Sequence, residues 1–195
     1  MAENKFIVSQ GVQIPQISGV ENGYEMQQNE DGLWQFTVVL SCEKITALLK
    51  DYCELLPSPG YFTLELPVPE SDAFDIYYVD GCTRPVLKAI VERYGDLLCA
   101  DGFVRFGFAS HETPEQIYVT DLKTIQIYAK KAEKICALLK KYNIPAKDQV
   151  TKLWDILSDE NPCELVPAEV NEETVFDLPQ LLEDAGIYLA GRREE

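Results

Sequence analysis

One pattern constrains this chain more than any other, a helix-forming string that ends in tyrosine and occurs three times. "ITALLKDY" ends at Tyr52, "LKAIVERY" at Tyr94 and "ICALLKKY" at Tyr142, with spacings of 42 and 48 residues. Each reads apolar, any, Ala, apolar, apolar, charged, any, Tyr. The first and third copies extend to "EKITALLKDY" and "EKICALLKKY", which agree at eight of ten positions. Apolar residues at i, i+3 and i+4 fall on one face of a helix, so Ile45, Leu48, Leu49, Ile135, Leu138 and Leu139 are expected in a core. Glu, Lys, Ala and Leu are also the commonest helix formers, so convergence explains the likeness as well as duplication does. On either account the string marks a core-facing helix and carries no chemistry.

The segment before each helix completes a unit. "YEMQQ" and "LWQFTVVL" flank a turn at Asn29–Gly32 and read as a hairpin before the first helix. Ser41 is placed to cap that helix, and "PSPG" at 57–60 stops it. "YFTLELPV" and "FDIYYVD" form a second hairpin. Thr83 then caps a helix with Pro85 in its first turn, weakened at Gly95 and closed at Asp101-Gly102. "FVRFGFAS" opens the third round. Ile117, Val119, Ile125 and Ile127 share one parity after it, as one long strand or two short ones. The expected fold is α+β, with a largely antiparallel sheet built from repeated hairpin-helix (ββα) units through residue 144. Residues 145–195 read as an acidic, mainly helical arm docked on that body, with Trp154, Phe176, Leu181 and Ile187 needing burial.

Charge sets the next bound. Thirty-three acidic residues oppose 17 basic ones, a net charge of −16. Residues 153–191 hold ten carboxylates and no Lys or Arg, whereas 123–152 carry eight lysines against Glu133 and Asp148. Such a balance disfavours nonspecific contact with nucleic acid or an anionic membrane. The acidic flank is either a solvated surface or a face for a basic partner, with Glu169, Glu172 and Glu173 as its binding candidates. Small acidic one-domain proteins that neutralise basic nucleases, such as bacterial toxin-immunity proteins, are similar in size and charge, a likeness that covers no motif. No apolar run reaches a membrane span, and "MAENKFIVSQ" lacks the apolar core of a signal peptide. Six cysteines without a C-x-x-C pair then read as reduced thiols in a cytoplasmic protein.

The search for chemistry is mostly negative. His111 is the single histidine, which excludes a two-histidine metal site and the H-E-x-x-H motif. Phosphate-cradling glycine motifs and G-x-S-x-G are absent, and no cofactor is expected. Two stretches carry alternatives to a macromolecule-binding module. In "YVDGCTRP", Cys82 stands just before the helix capped by Thr83, with Arg84 adjacent. Both would favour a thiolate, Asp80 would oppose it, and His111 would be the base of a cysteine-nucleophile enzyme. In "FVRFGFAS", Arg105 and Gly107 share a strand face. With Tyr78 and other strand tyrosines they would make an aromatic cradle for a small apolar anion.

Overall fold

The computed structural model describes residues 6–194. The residues 1–5 that enter the reading of the N-terminus lie outside that range. An eight-stranded, wholly antiparallel sheet forms one layer and three helices form the other. In chain order β1 (Val12–Gln13) precedes the hairpin of β2 (Gly23–Gln28) and β3 (Trp34–Val39). The first helix, α1 (Ile45–Leu55), comes after that hairpin. The strands β4 (Gly60–Pro67) and β5 (Ala73–Cys82) lead to α2 (Arg84–Ala100). Three strands then precede α3 (Ala132–Lys141): β6 (Arg105–Ser110), β7 (Gln116–Val119) and β8 (Ile125–Ala129). The two-residue β9 (Glu164–Leu165), a single helical turn α4 (Leu178–Leu181) and β10 (Tyr188–Glu194) complete the chain.

Strand order across the sheet is β10-β5-β4-β6-β7-β8-β3-β2. A helix follows the β2–β3 and β4–β5 hairpins, whereas three strands precede α3 because a turn at 120–124 splits the Ile117–Ile127 parity run, so the expected regular repeat is not seen. The third round also lies between the other two instead of stacking after them. Its β8 pairs with β3 and its β6 with β4.

Alternation explains which face is covered. Phe36, Val38, Phe62, Leu64, Phe106, Phe108, Ile117, Ile125 and Ile127 are fully buried under the helices. Ile45, Leu48, Leu49, Ile135, Leu138 and Leu139 meet them from the helix side, each adding roughly 1.5–3 kcal/mol through apolar burial. The helix α1 lies between its two neighbours. A Cβ on Gly95 would stand 2.7 Å from Thr46 Cγ2, so that glycine permits close α1–α2 packing and does not break α2. The bridges Lys50–Glu92 (3.0 Å) and Lys88–Glu54 (2.9 Å) tie the same pair. The aligned tyrosines occupy three different settings. Tyr52 is in the core, Tyr94 lies under the Arg93 guanidinium, and the Tyr142 hydroxyl reaches Asp51 Oδ2 at 2.6 Å.

After α3 the chain is a strap, mostly irregular, where a mainly helical arm was expected. It runs beside the β2 edge, where Tyr24 N–H donates to the Pro145 carbonyl and Lys147 N–H donates to the Tyr24 carbonyl. Its β9 pairs with β1. At the next crossing, Gly102 N–H donates to the Val166 carbonyl (3.1 Å) and Val166 N–H donates to the Gly11 carbonyl (2.9 Å). Both oxygens of buried Asp101 serve this clasp. Oδ1 accepts from Phe103 and Val104 N–H, and Oδ2 accepts from Ala168 N–H. The strap then buries Val175, Leu178 and Leu182 in the main core and ends as β10 on the β5 edge. Burial of its large side chains is incomplete. Trp154 is 71% exposed, Phe176 45% and Leu181 39%, because the strap takes its core contacts from Val150, Leu153, Val175 and Leu178. Trp154 shares a four-residue 3-10 turn (Leu153–Ile156) with buried Leu153, which fills the inward position of that turn.

Candidate functional site

The strap places its carboxylates around a hollow. Residues 170–173 make a tight turn with mutual Val170–Glu173 backbone hydrogen bonds, and Asn171 and Glu172 both have positive φ (55° and 65°). Two successive left-handed residues are the signature of a type I′ turn, which projects Glu172 outward. Immediately after it, Thr174 donates to Asp177 Oδ2 from its backbone N–H (2.8 Å) and its hydroxyl (2.9 Å). Those bonds hold the Asp177 carboxyl below its ordinary range. Buried Val175, Leu178 and Leu182 fix the inner side of this segment, so its polar positions face out. The result is an open hollow of about 560 Å³ walled by Glu172, Glu173, Asp177, Glu183 and Asp184, with Leu181 among them. The Arg93 guanidinium on α2 meets Glu173 at 2.5 Å, a counter-charge that the composition of 153–191 does not reveal. Glu169 is exposed but stands outside the hollow.

Cys82 is turned away from solvent. Across β4 and β5, Gly60 faces Cys82 while Phe62 faces Val79, so β5 carries a bulge at Asp80-Gly81 with Gly81 at φ 64°. One extra residue reverses the parity of the strand beyond it. Asp80 points outward, whereas Cys82 enters the core at 3% exposure with its Sγ 3.3 Å from the Val79 carbonyl oxygen. Burial, the dominant influence, pushes its thiol up, the opposite of the lowering expected from the helix end and Arg84. Thr83 occupies the N-cap position without a side-chain cap bond, and Arg84 donates instead to the Leu56 carbonyl at 2.8 Å. The thiol is thus separated from His111. All six cysteines are free thiols, and burial pushes Cys53 and Cys99 up to about 12. In the native protein, iodoacetamide is expected to label the half-buried Cys42, Cys136 and Cys163 well before Cys53, Cys82 and Cys99. Labelling of Cys82 among the first in a peptide map would restore the nucleophile.

The other two residues of the expected cysteine-nucleophile set, Asp80 and His111, do meet. His111 Nε2 lies 3.1 Å from Asp80 Oδ1, and the Tyr188 hydroxyl donates to Asp80 Oδ2. The Tyr61 ring contacts both Tyr78 (5.5 Å) and His111 (4.9 Å), and Tyr78 meets Tyr188 (6.2 Å). This aromatic group sits on the sheet face that no helix covers. Arg105 lies on the same face, but its guanidinium stacks on Phe74 (4.1 Å) and pairs with Asp121 (3.0 Å). The space beside Gly107 is closed as well. A Cβ there would stand 3.2 Å from Tyr118 Cδ2 and 2.4 Å from the Ile117 carbonyl oxygen, so the Tyr118 ring fills the expected gap. Arg105 and Tyr78 share a face without forming a cradle.

Among the described residues no three His, Cys, Asp or Glu side chains stand where they could share a metal ion, and no helix is long and apolar enough to cross a membrane. Comparison with protein-family models, curated proteins and solved structures found no match to this chain.

Proposed function

We propose that this α+β protein is a non-catalytic module that takes a basic protein segment in the acidic hollow of its strap. One observation supports the reading, the meeting of five carboxylates with an exposed apolar side chain at a single concavity. Glu172, Glu173, Asp177, Glu183 and Asp184 wall the hollow, and half-exposed Leu181 lines it with them. Carboxylates at this density speed the encounter with a cationic partner, and desolvated apolar anchors then slow its departure. A cytoplasmic inhibitor of a basic protein, in the manner of an immunity protein, fits this division of labour. The same charge repels nucleic acid and anionic membrane.

The test uses a fluorescent peptide of Lys and Leu as a stand-in for the partner segment, with kinetics measured at several salt concentrations. Reversing Glu172, Glu183 and Asp184 to Lys is expected to slow association about tenfold at low ionic strength. The difference should vanish near 1 M salt, where the Debye length is about 3 Å. Leu181→Ala should leave association nearly unchanged and speed dissociation about tenfold. An association rate indifferent to salt, or a dissociation rate indifferent to Leu181, ends this reading.

A further inference from the structure

A second site lies away from the strap, where the C-terminal end of α1, the start of β7 and the N-terminal end of α3 meet around a cavity of about 130 Å³. One of its polar atoms is buried without a partner, and a second near it makes no hydrogen bond. Tyr52 is 1% exposed, and no group among the described residues bonds its hydroxyl. Glu115 Oε2 is buried and equally unpartnered. The two sense each other, since burial first and the Glu115 charge second push the Tyr52 phenol up. Native folds rarely leave a buried acceptor such as Glu115 Oε2 unsatisfied.

The lining is also cationic. Lys130, Lys131 and Lys134 contribute to it, and none is in an ion pair among the described residues. They surround the first turn of α3, a ten-residue helix with no side-chain cap, so its leading N–H groups also face outward unpaired. Leu55, Pro57 and Ile135 add apolar lining. The cavity thus has a carboxylate and a phenol that need a donor, cations that need an anion, and an apolar lining.

We infer that this cavity binds a free α-amino acid with an apolar side chain. The ammonium donates to Glu115 Oε2 and the Tyr52 hydroxyl. The carboxylate meets the lysines and the α3 amides, and the side chain rests on Leu55, Pro57 and Ile135. A protein cavity of about 150 Å³ holds a benzene-sized body, so this one of about 130 Å³ takes a small apolar side chain while the carboxylate stays at the exposed lysine rim. A simple anion would leave Glu115 unsatisfied, and a simple amine would leave the lysines unused.

Calorimetry on the full chain at pH 7 tests this with L-valine, L-leucine and L-phenylalanine. Alongside them go 4-methylpentanoate and 3-methylbutylamine, which are leucine without its ammonium and without its carboxylate. At least one amino acid should bind, and L-leucine should bind at least about tenfold more tightly than either analogue, because a site built for a polar group rejects the ligand lacking it. Glu115→Gln should weaken amino-acid binding by a similar factor while leaving 4-methylpentanoate unaffected. Lys134→Gln, at an exposed position where folding is not at stake, should weaken both. No binding by any of the three amino acids up to about 10 mM would overturn the inference. So would equal binding of leucine and either analogue, or indifference to both substitutions.

Discussion

Gly102→Ala should remove much of this protein's stability at room temperature. A Cβ at residue 102 would stand 2.0 Å from the Gly11 oxygen and 2.8 Å from the Val166 oxygen, and backbone atoms on both sides cannot rotate away. Relief requires three chain segments to separate, which breaks the Gly102–Val166 and Val166–Gly11 hydrogen bonds and pulls Ala168 from Asp101. The expected loss is about 4 kcal/mol or more, near the top of what single substitutions do. Much of a domain's whole stability of about 5–15 kcal/mol is then gone. Gly191→Ala is the matched control, since nothing lies within 4 Å of a Cβ there. Denaturant titration of both variants checks the claim. A Gly102→Ala midpoint indistinguishable from that of Gly191→Ala would mean that the clasp gives way easily.

Lys123→Met should move stability in the other direction. Lys123 is buried, its ammonium donates to the Val104 carbonyl at 3.2 Å, and it sits among Cys42, Cys99, Asp101 and Asp121. Burial outweighs these neighbours and lowers its pKa from 10.5 to about 8. Below pH 8 the side chain is charged whether folded or not, and the fold bears the full cost of burying that charge. Above pH 10.5 it is neutral in both states and the cost disappears. At about 1.4 kcal/mol per pH unit the cost is about 3 kcal/mol. Methionine keeps the length and the apolar stem, so a gain of about 1–3 kcal/mol is expected at pH 7. Residue 123 has φ 56°, which strains Met and Lys alike, so the comparison isolates the charge. Measured as the difference between variant and wild type, the gain should shrink between pH 8 and 10.5. A gain independent of pH, or a loss at pH 7, would contradict the assignment.

Local rules make some features legible in the sequence and leave others hidden. The helix faces at Ile45–Leu49 and Ile135–Leu139 are readable because a 3.6-residue period states which side is buried. The Asn29–Gly32 hairpin is readable from its turn residues. Strand order is not, because pairing β3 with β8 and β4 with β6 depends on how whole helices pack. The place of Cys82 at a strand end is legible but its direction is not, since the bulge at Gly81 reverses parity without any apolar signature. Lys123 counts as one of eight lysines in its stretch, and composition cannot tell a buried ammonium from an exposed one. Gly102 reads as a helix stop, whereas its role is set by Gly11 and Val166, 91 and 64 residues away in sequence. In the acidic flank the carboxylates are evident and the partner for Glu173 is not, because Arg93 lies on another element.

The strap that joins the two sides of the sheet also dictates an order of assembly. It runs beside β2 and caps β5 with β10, so neither edge is finished until the body between them exists. Those closures are long-range, with Tyr188 facing Tyr78 and Pro145 bonded to Tyr24. Loops of this length add entropy that early collapse cannot recover, so they close late and slow folding. Until then the molecule carries two bare strands, each able to pair with another copy instead of its own tail. The strap therefore protects the finished molecule and not the folding one, and crowded refolding is the condition that exposes this dependence.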